Sequence, residues 1–155
     1  MTKHPSKSSL AARSAAALAA LALLLVTAPV PATQIPVFIG SVGVGKARPE
    51  VQGELRAMLR AELSATDFAG VKTTERYSLS TTLVRLDSEQ SSDSVRATCV
   101  ISVALLRDGS STLYAIIHGR ATAEDSNKAH ASVAQSDALR AAVHSALVRV
   151  PKALR

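Results

Sequence analysis

The residues able to do chemistry in this chain fall into three groups: a glycine-lysine segment, a few histidines and one cysteine. The segment Gly40-Ser41-Val42-Gly43-Val44-Gly45-Lys46-Ala47 fits G-x-x-x-x-G-K after an apolar run. In a phosphate-binding loop of that pattern the backbone N–H groups wrap the phosphates, the lysine meets the terminal ones, and a following Ser or Thr holds magnesium. Here the following residue is Ala47, which has no oxygen to offer, and Pro49 delays the next helix. The segment therefore reads as a glycine-rich strand end, with a nucleotide-binding protein carrying a degenerate phosphate loop as an alternative.

His118, His130 and His144 follow that segment. On a helical wheel His130 and His144 share the polar side of the last helix, but their spacing sets them about 21 Å apart along its axis, too far to share one ion. His118 belongs to a strand face with Tyr114, Ile116 and Arg120. No HExxH, paired-Cys or His-x-His spacing occurs, so no metal site is expected. Serines are plentiful, yet none sits in a Gly-x-Ser-x-Gly elbow, and a combination of Ser, His118 and Asp125 could be drawn in almost any chain of this composition. The acids gather at Asp87, Glu89 and Asp93, where water would keep them ordinary. No catalytic residue and no cofactor is expected, and the chain is read as a non-enzyme. Cys99 stands alone, so it forms no internal disulfide; its place in the alternating series Val95, Ala97, Cys99, Ile101, Val103, Leu105 makes it a buried strand residue.

The elements that would carry these residues follow from periodicity. Residues 35–44 are apolar on both parities, as in a strand covered on both faces. Val51, Leu55, Met58, Leu59 and Leu63 form one stripe and predict a helix over 48–65, with Pro49 in its first turn and Glu62 inside the stripe, reaching to water near the helix end. Residues 72–86 predict a strand, with a change of parity near Thr81 and Thr82. The acidic stretch 87–94 predicts a long hairpin loop, and 95–107 and 112–123 predict two more strands joined at Asp108-Gly109. Leu139, Ala142, Val143, Ala146, Leu147 and Val150 predict a last helix, capped by Ser126 or by Ser132 with Gln135 and ended by Pro151. The order β-α-β-β-β-α predicts an α+β fold, a four-stranded, mainly antiparallel sheet packed on one face by two helices.

The chain has 155 residues, 18 Lys+Arg against 12 Asp+Glu, and a formal charge of +6. A basic head (Lys3, Lys7, Arg13) precedes the apolar run SAAALAALALLLV and the small-residue site Val30-Pro31-Ala32. This is the form of a secretory signal peptide over residues 1–32, with Thr33 as the first mature residue and residues 33–155 as a single domain. Pro29 and Pro31 and the weakly lipophilic alanines argue against a retained span. Removing the leader takes three basic residues and no acid, leaving 15 against 12, or +3. The remaining cations are scattered singly without aromatic interleaving, so no nucleic-acid partner is expected. Nor is a lipid anchor of the bacterial lipoprotein kind, because Thr33 stands where the lipid-bearing Cys would be.

In pattern, VFIGSVGV, VQGELRAMLRAEL, a hairpin and DALRAAVHSALVRV make the chain resemble the small envelope domains of two groups: lipoprotein activators of penicillin-binding proteins and the curli-secretion lipoprotein. The resemblance implies a non-catalytic adaptor or assembly factor using a sheet edge or hairpin loops as its contact surface. The sequence expectation is an exported interaction or assembly protein of the bacterial envelope, periplasmic or released, whose partner is an envelope protein or polymer. The candidate surface is Ser88, Glu89 and Asp93 with Tyr114, Ile116 and His118. A periplasmic small-ligand-binding domain is the competing class.

Overall fold

The computed structural model describes residues 36–45 and 49–155. The expected leader and its cleavage site lie outside the described residues, as do Lys46, Ala47 and Arg48. The elements run β1 (Val37–Gly43), α1 (Pro49–Ala65), β2 (Tyr77–Gln90), β3 (Val95–Arg107), β4 (Leu113–Asp125), a 3-10 turn (Lys128–His130), α2 (Ala131–Leu147) and α3 (Val150–Ala153). The sheet order is β1-β2-β3-β4. β1 and β2 are parallel, so a crossover helix, α1, must join them, whereas β2, β3 and β4 form an antiparallel meander with short connections. The α+β architecture expected from the order of elements is the one observed.

Alternation explains which face is covered. Val95, Ala97, Cys99, Ile101, Val103 and Leu105 of β3 are all fully buried, and the residues between them are half-buried or exposed. Val51, Leu55, Leu59 and Leu63 of α1 and Leu139, Val143 and Leu147 of α2 complete the core on that side. α2 lies over β3 and β4, with α1 beside it toward β1. The two helices run parallel, because Ser136 donates to Glu54 at 2.6 Å and His144 meets Glu62 at 2.5 Å, an equal advance along both. Thus Glu62, expected to reach only water, joins the helices at their C-terminal ends.

α2 approaches the sheet closely at Gly119. A Cβ there would stand 2.1 Å from the Ala142 carbonyl oxygen and 3.0 Å from the Ala146 Cβ. The alanines of α2 let its backbone come that near, and only a residue without a side chain fits opposite them.

Several sequence expectations need correction. β1 is an edge strand covered on one face, and its apolar residues fall on both parities because it carries an extra residue: Ile39 pairs with Leu79 but Val42 with Thr81. The bulge returns Val42 and Val44 to the side of Val37 and Ile39. In β2 the parity change lies at Val84, past Thr81 and Thr82, since Leu83 pairs with Ile101 and Arg85 with Val100. β2 starts at Tyr77 and continues to Gln90, because Asp87, Ser88 and Glu89 pair with Thr98, Ala97 and Arg96; only residues 91–94 form the turn. At the other end of the sheet Gly109 (φ 78°) and Ser111 (φ 52°) make the left-handed turn that Asp108-Gly109 predicts.

Neither Ser126 nor Ser132 starts the last helix. Asn127 caps the 3-10 turn by accepting from the Ala129 N–H, while Asp125 accepts from the Asn127 N–H and pairs with His130, which is the cap position of α2 rather than a residue within it. Gln135, expected in a capping box, donates instead to Ser88. Pro151 does not end α2 either. That helix stops at Leu147, and Pro151 sits in the first turn of α3, where its missing N–H costs nothing.

Candidate functional site

The side of the sheet away from the helices is uncovered. β2 contributes Ser78, Ser80 and Thr82 to it, β3 contributes Thr98, Val100, Ser102, Ala104 and Leu106, and β4 contributes Ile116, His118, Arg120 and Thr122. Phe38 of β1 lies at one margin with the Arg76 guanidinium 5.2 Å from its ring centroid. Val84 and Ile116 are 60% and 53% exposed, which is high for branched apolar residues in strands. The face is therefore a mixture of small hydroxyls and separate apolar side chains, with the Arg85–Asp87 pair on β2 and His118 and Arg120 on β4.

The six candidate surface residues do not come together. Glu89 pairs with Arg96, and Arg96 makes an ion pair of 3.1 Å with Glu124, so Glu89 and Asp93 mark the β2–β3 hairpin end of the sheet. Ser88 belongs to the same end but turns toward α2, where it accepts from Gln135 at 3.0 Å. Ile116 and His118 lie toward the other end, and the eight residue steps from Ile116 to Glu124 span about 27 Å. Tyr114 leaves the parity of Ile116 and His118 because Leu105 pairs with Ala115 and Leu106 with Leu113, so it has no counterpart on β3. Its ring instead packs at 5.0 Å on buried Tyr77, whose hydroxyl donates to Glu75 at 2.8 Å. Burial and the Glu75 carboxylate hold the Tyr77 phenol above its usual range.

The glycine-lysine segment has a different geometry from a phosphate loop. Gly40 and Gly43 lie inside β1, and Gly43 pairs with Thr82, so this backbone is committed to the sheet; only Gly45, at φ 69°, makes a left-handed turn after it. Lys46 and Ala47 lie outside the described residues. Cys99 is fully buried on β3, and burial pushes its thiol up to about 12. Among the described residues no three His, Cys, Asp or Glu side chains converge. A mixed-charge depression of about 420 Å³ lies at the C-terminal ends of α1 and α2 among Glu62, Asp67, His144, Lys152 and Arg155.

The resemblance implied a sheet edge as contact surface, but sequence reasoning did not say which one; the structure leaves β4 with β3 on one side only. Arg149, in the link between α2 and α3, donates through Nη1 to the His118 carbonyl at 3.2 Å. That carbonyl points away from β3, so the backbone groups of His118 face outward from the sheet. Ile116, Ile117, His118, Arg149, Lys152 and Ala153 border a shallow depression of about 630 Å³ along this edge. The one signal available in the sequence was the spacing of cations after Leu147.

No helix among the described residues is long and apolar enough to cross a membrane. No protein-family model matches the sequence, and no curated protein matches it. Among solved structures the chain is similar to a candidate lipoprotein from Caulobacter crescentus CB15, with TM-score 0.48 and 13% identity over 77% of this chain and 88% of that one. It is also similar to a minor lipoprotein from Acinetobacter baumannii, with TM-score 0.47 and 9% identity over 76% of this chain and 94% of that one.

Proposed function

We propose that this chain is an exported protein of the bacterial envelope that acts by contact with a protein or polymer partner rather than by catalysis. Export rests on the basic head, apolar run and small-residue site of residues 1–32. The contact role rests on one observation above the others: the helices cover one side of the sheet and leave the other open, with Val84, at the β2 bulge, and Ile116 more than half exposed.

A small-ligand-binding domain would need space between helices and sheet. In this chain that space is filled by Leu55, Leu59, Ile101, Leu105, Leu139 and Leu147, all buried. A nucleotide site would need the backbone of Gly40 to Gly43 free of the sheet, whereas Gly40 and Ser41 form a bulge within β1 and Val42 and Gly43 pair with Thr81 and Thr82. Neither reading draws support from a specific group.

The experiment is site-directed photocrosslinking in the native host, with the crosslinker at Val84 or Ile116 on the open face and, as control, at exposed Arg140 of α2. A discrete adduct from the open-face positions, absent from Arg140, is expected. Equal labelling from all three positions, or none from the open face, contradicts the contact role.

A further inference from the structure

We propose that the free edge of β4 is a strand-addition site for an extended partner segment bearing carboxylates. The inference rests on the contact role above and deepens it by naming the chemistry of the partner. β4 is thirteen residues long and has β3 on one side only. Because the His118 carbonyl faces outward, alternation gives the same direction to the backbone N–H and C=O of Ile116, Arg120 and Thr122. A row of this kind is what an added strand pairs with.

Charge selects the occupant. Beside this edge stand Arg149 and Lys152 toward the helices and His118 and Arg120 on the open face. Arg120 and Lys152 have no side-chain partner among the described residues, and Arg149 is engaged only with a neutral carbonyl. The acids of β4, Glu124 and Asp125, are at its far end and already paired with Arg96 and His130. An added strand with carboxylates on the side of Arg149 and Lys152 and apolar residues over Ile116 satisfies both faces, since side chains alternate. A second copy of this chain does not: pairing two β4 strands about their middle brings Arg120 and Arg149 of one copy toward the same cations of the other. Arg149 then has two roles. Without a partner it covers an outward carbonyl and blunts the edge; with one, it releases the carbonyl and meets a carboxylate.

The test uses the mature protein with an amide-resolved NMR titration and three capped synthetic peptides. One alternates Val and Asp, one alternates Val and Lys, and one is the Val/Asp peptide N-methylated at alternate residues. The Val/Asp peptide is expected to give saturable shifts at the amides of Ile116, His118 and Arg120. The N-methylated peptide gives none, and the Val/Lys peptide binds roughly tenfold more weakly or worse. Arg149→Glu removes the preference for Asp over Lys while leaving the amide spectrum of the core unchanged. Shifts confined to other elements, no saturation at β4, or equal binding of the Asp and Lys peptides overturns the proposal. So does sedimentation of the protein alone as a dimer whose β4 amides are protected from exchange. Open-face photoadducts obtained alongside a silent β4 edge would remove this inference and leave the contact role standing.

Discussion

Cys99 and Asp125 show how far neighbours decide what a side chain can do. Cys99 is the sole cysteine and is fully buried between Ala97 and Ile101 on the covered side of β3, so its thiolate has no water to stabilise it. A disulfide reagent at pH 8 is expected to leave the native protein unlabelled and to label one thiol once denaturant is added; prompt labelling without denaturant contradicts this placement. Folding raises this thiol from 9.0 to about 12, so its contribution to stability is complete below pH 9 and falls as pH rises toward 12. Asp125 shifts the other way. The Asn127 N–H and His130 hold its carboxyl below the ordinary 3.8, so the stability it supplies is present above that value and is lost as pH falls through the lower folded value. A carboxyl titration by NMR should place Asp125 below 3.8, and His130→Ala should move it up. Thr81 makes the opposite case. Its hydroxyl is buried on β2 without a partner among the described residues, so Thr81→Val is expected to leave stability unchanged or raise it by about 1 kcal/mol. A clear drop in Tm would reveal a partner for the hydroxyl.

Two glycines separate the demands of the elements. Gly53 lies exposed in α1 with nothing within 4 Å of an added Cβ, whereas Gly119 faces the α2 backbone. Gly53→Ala is expected to stabilise the protein by roughly 0.5–1 kcal/mol through helix propensity. Gly119→Ala should cost about 1–3 kcal/mol because α2 must lift from the sheet. Thermal melts of the two variants should move in opposite directions; a neutral Gly119→Ala would contradict the close packing of α2 on β4. The sequence made the periodic elements legible: β3 through its unbroken alternation and α1 through Val51, Leu55, Leu59 and Leu63. It hid the bulge at Gly40-Ser41 and showed the one in β2 only as a change of parity near Thr81 and Thr82, short of Val84, since an extra residue changes parity without changing composition. It hid the end of β2 as well, because Ser88 and Glu89 are polar for being at the uncovered end of the sheet, and polarity alone reads as loop. The cap at Asn127 was masked by nearby serines of equal propensity.

For the whole molecule, covering one face of a four-stranded sheet leaves the other face and the β4 edge exposed. The candidate surface was only partly legible for a reason of topology. Hairpin residues and Ile116 are close in the register of alternation but lie at opposite ends of long strands, a distance that no local pattern reports. The proposed edge site depends on Arg149 returning to His118 across a whole helix, which is a tertiary contact. The proposed export, by contrast, rests on the local pattern of residues 1–32 and would govern what the exposed face can meet. Intact-mass determination of the protein from fractionated native host cells tests this directly. The expected result is a chain beginning at Thr33 in the periplasmic or released fraction; full-length chain beginning at Met1 and confined to the cytosol contradicts it.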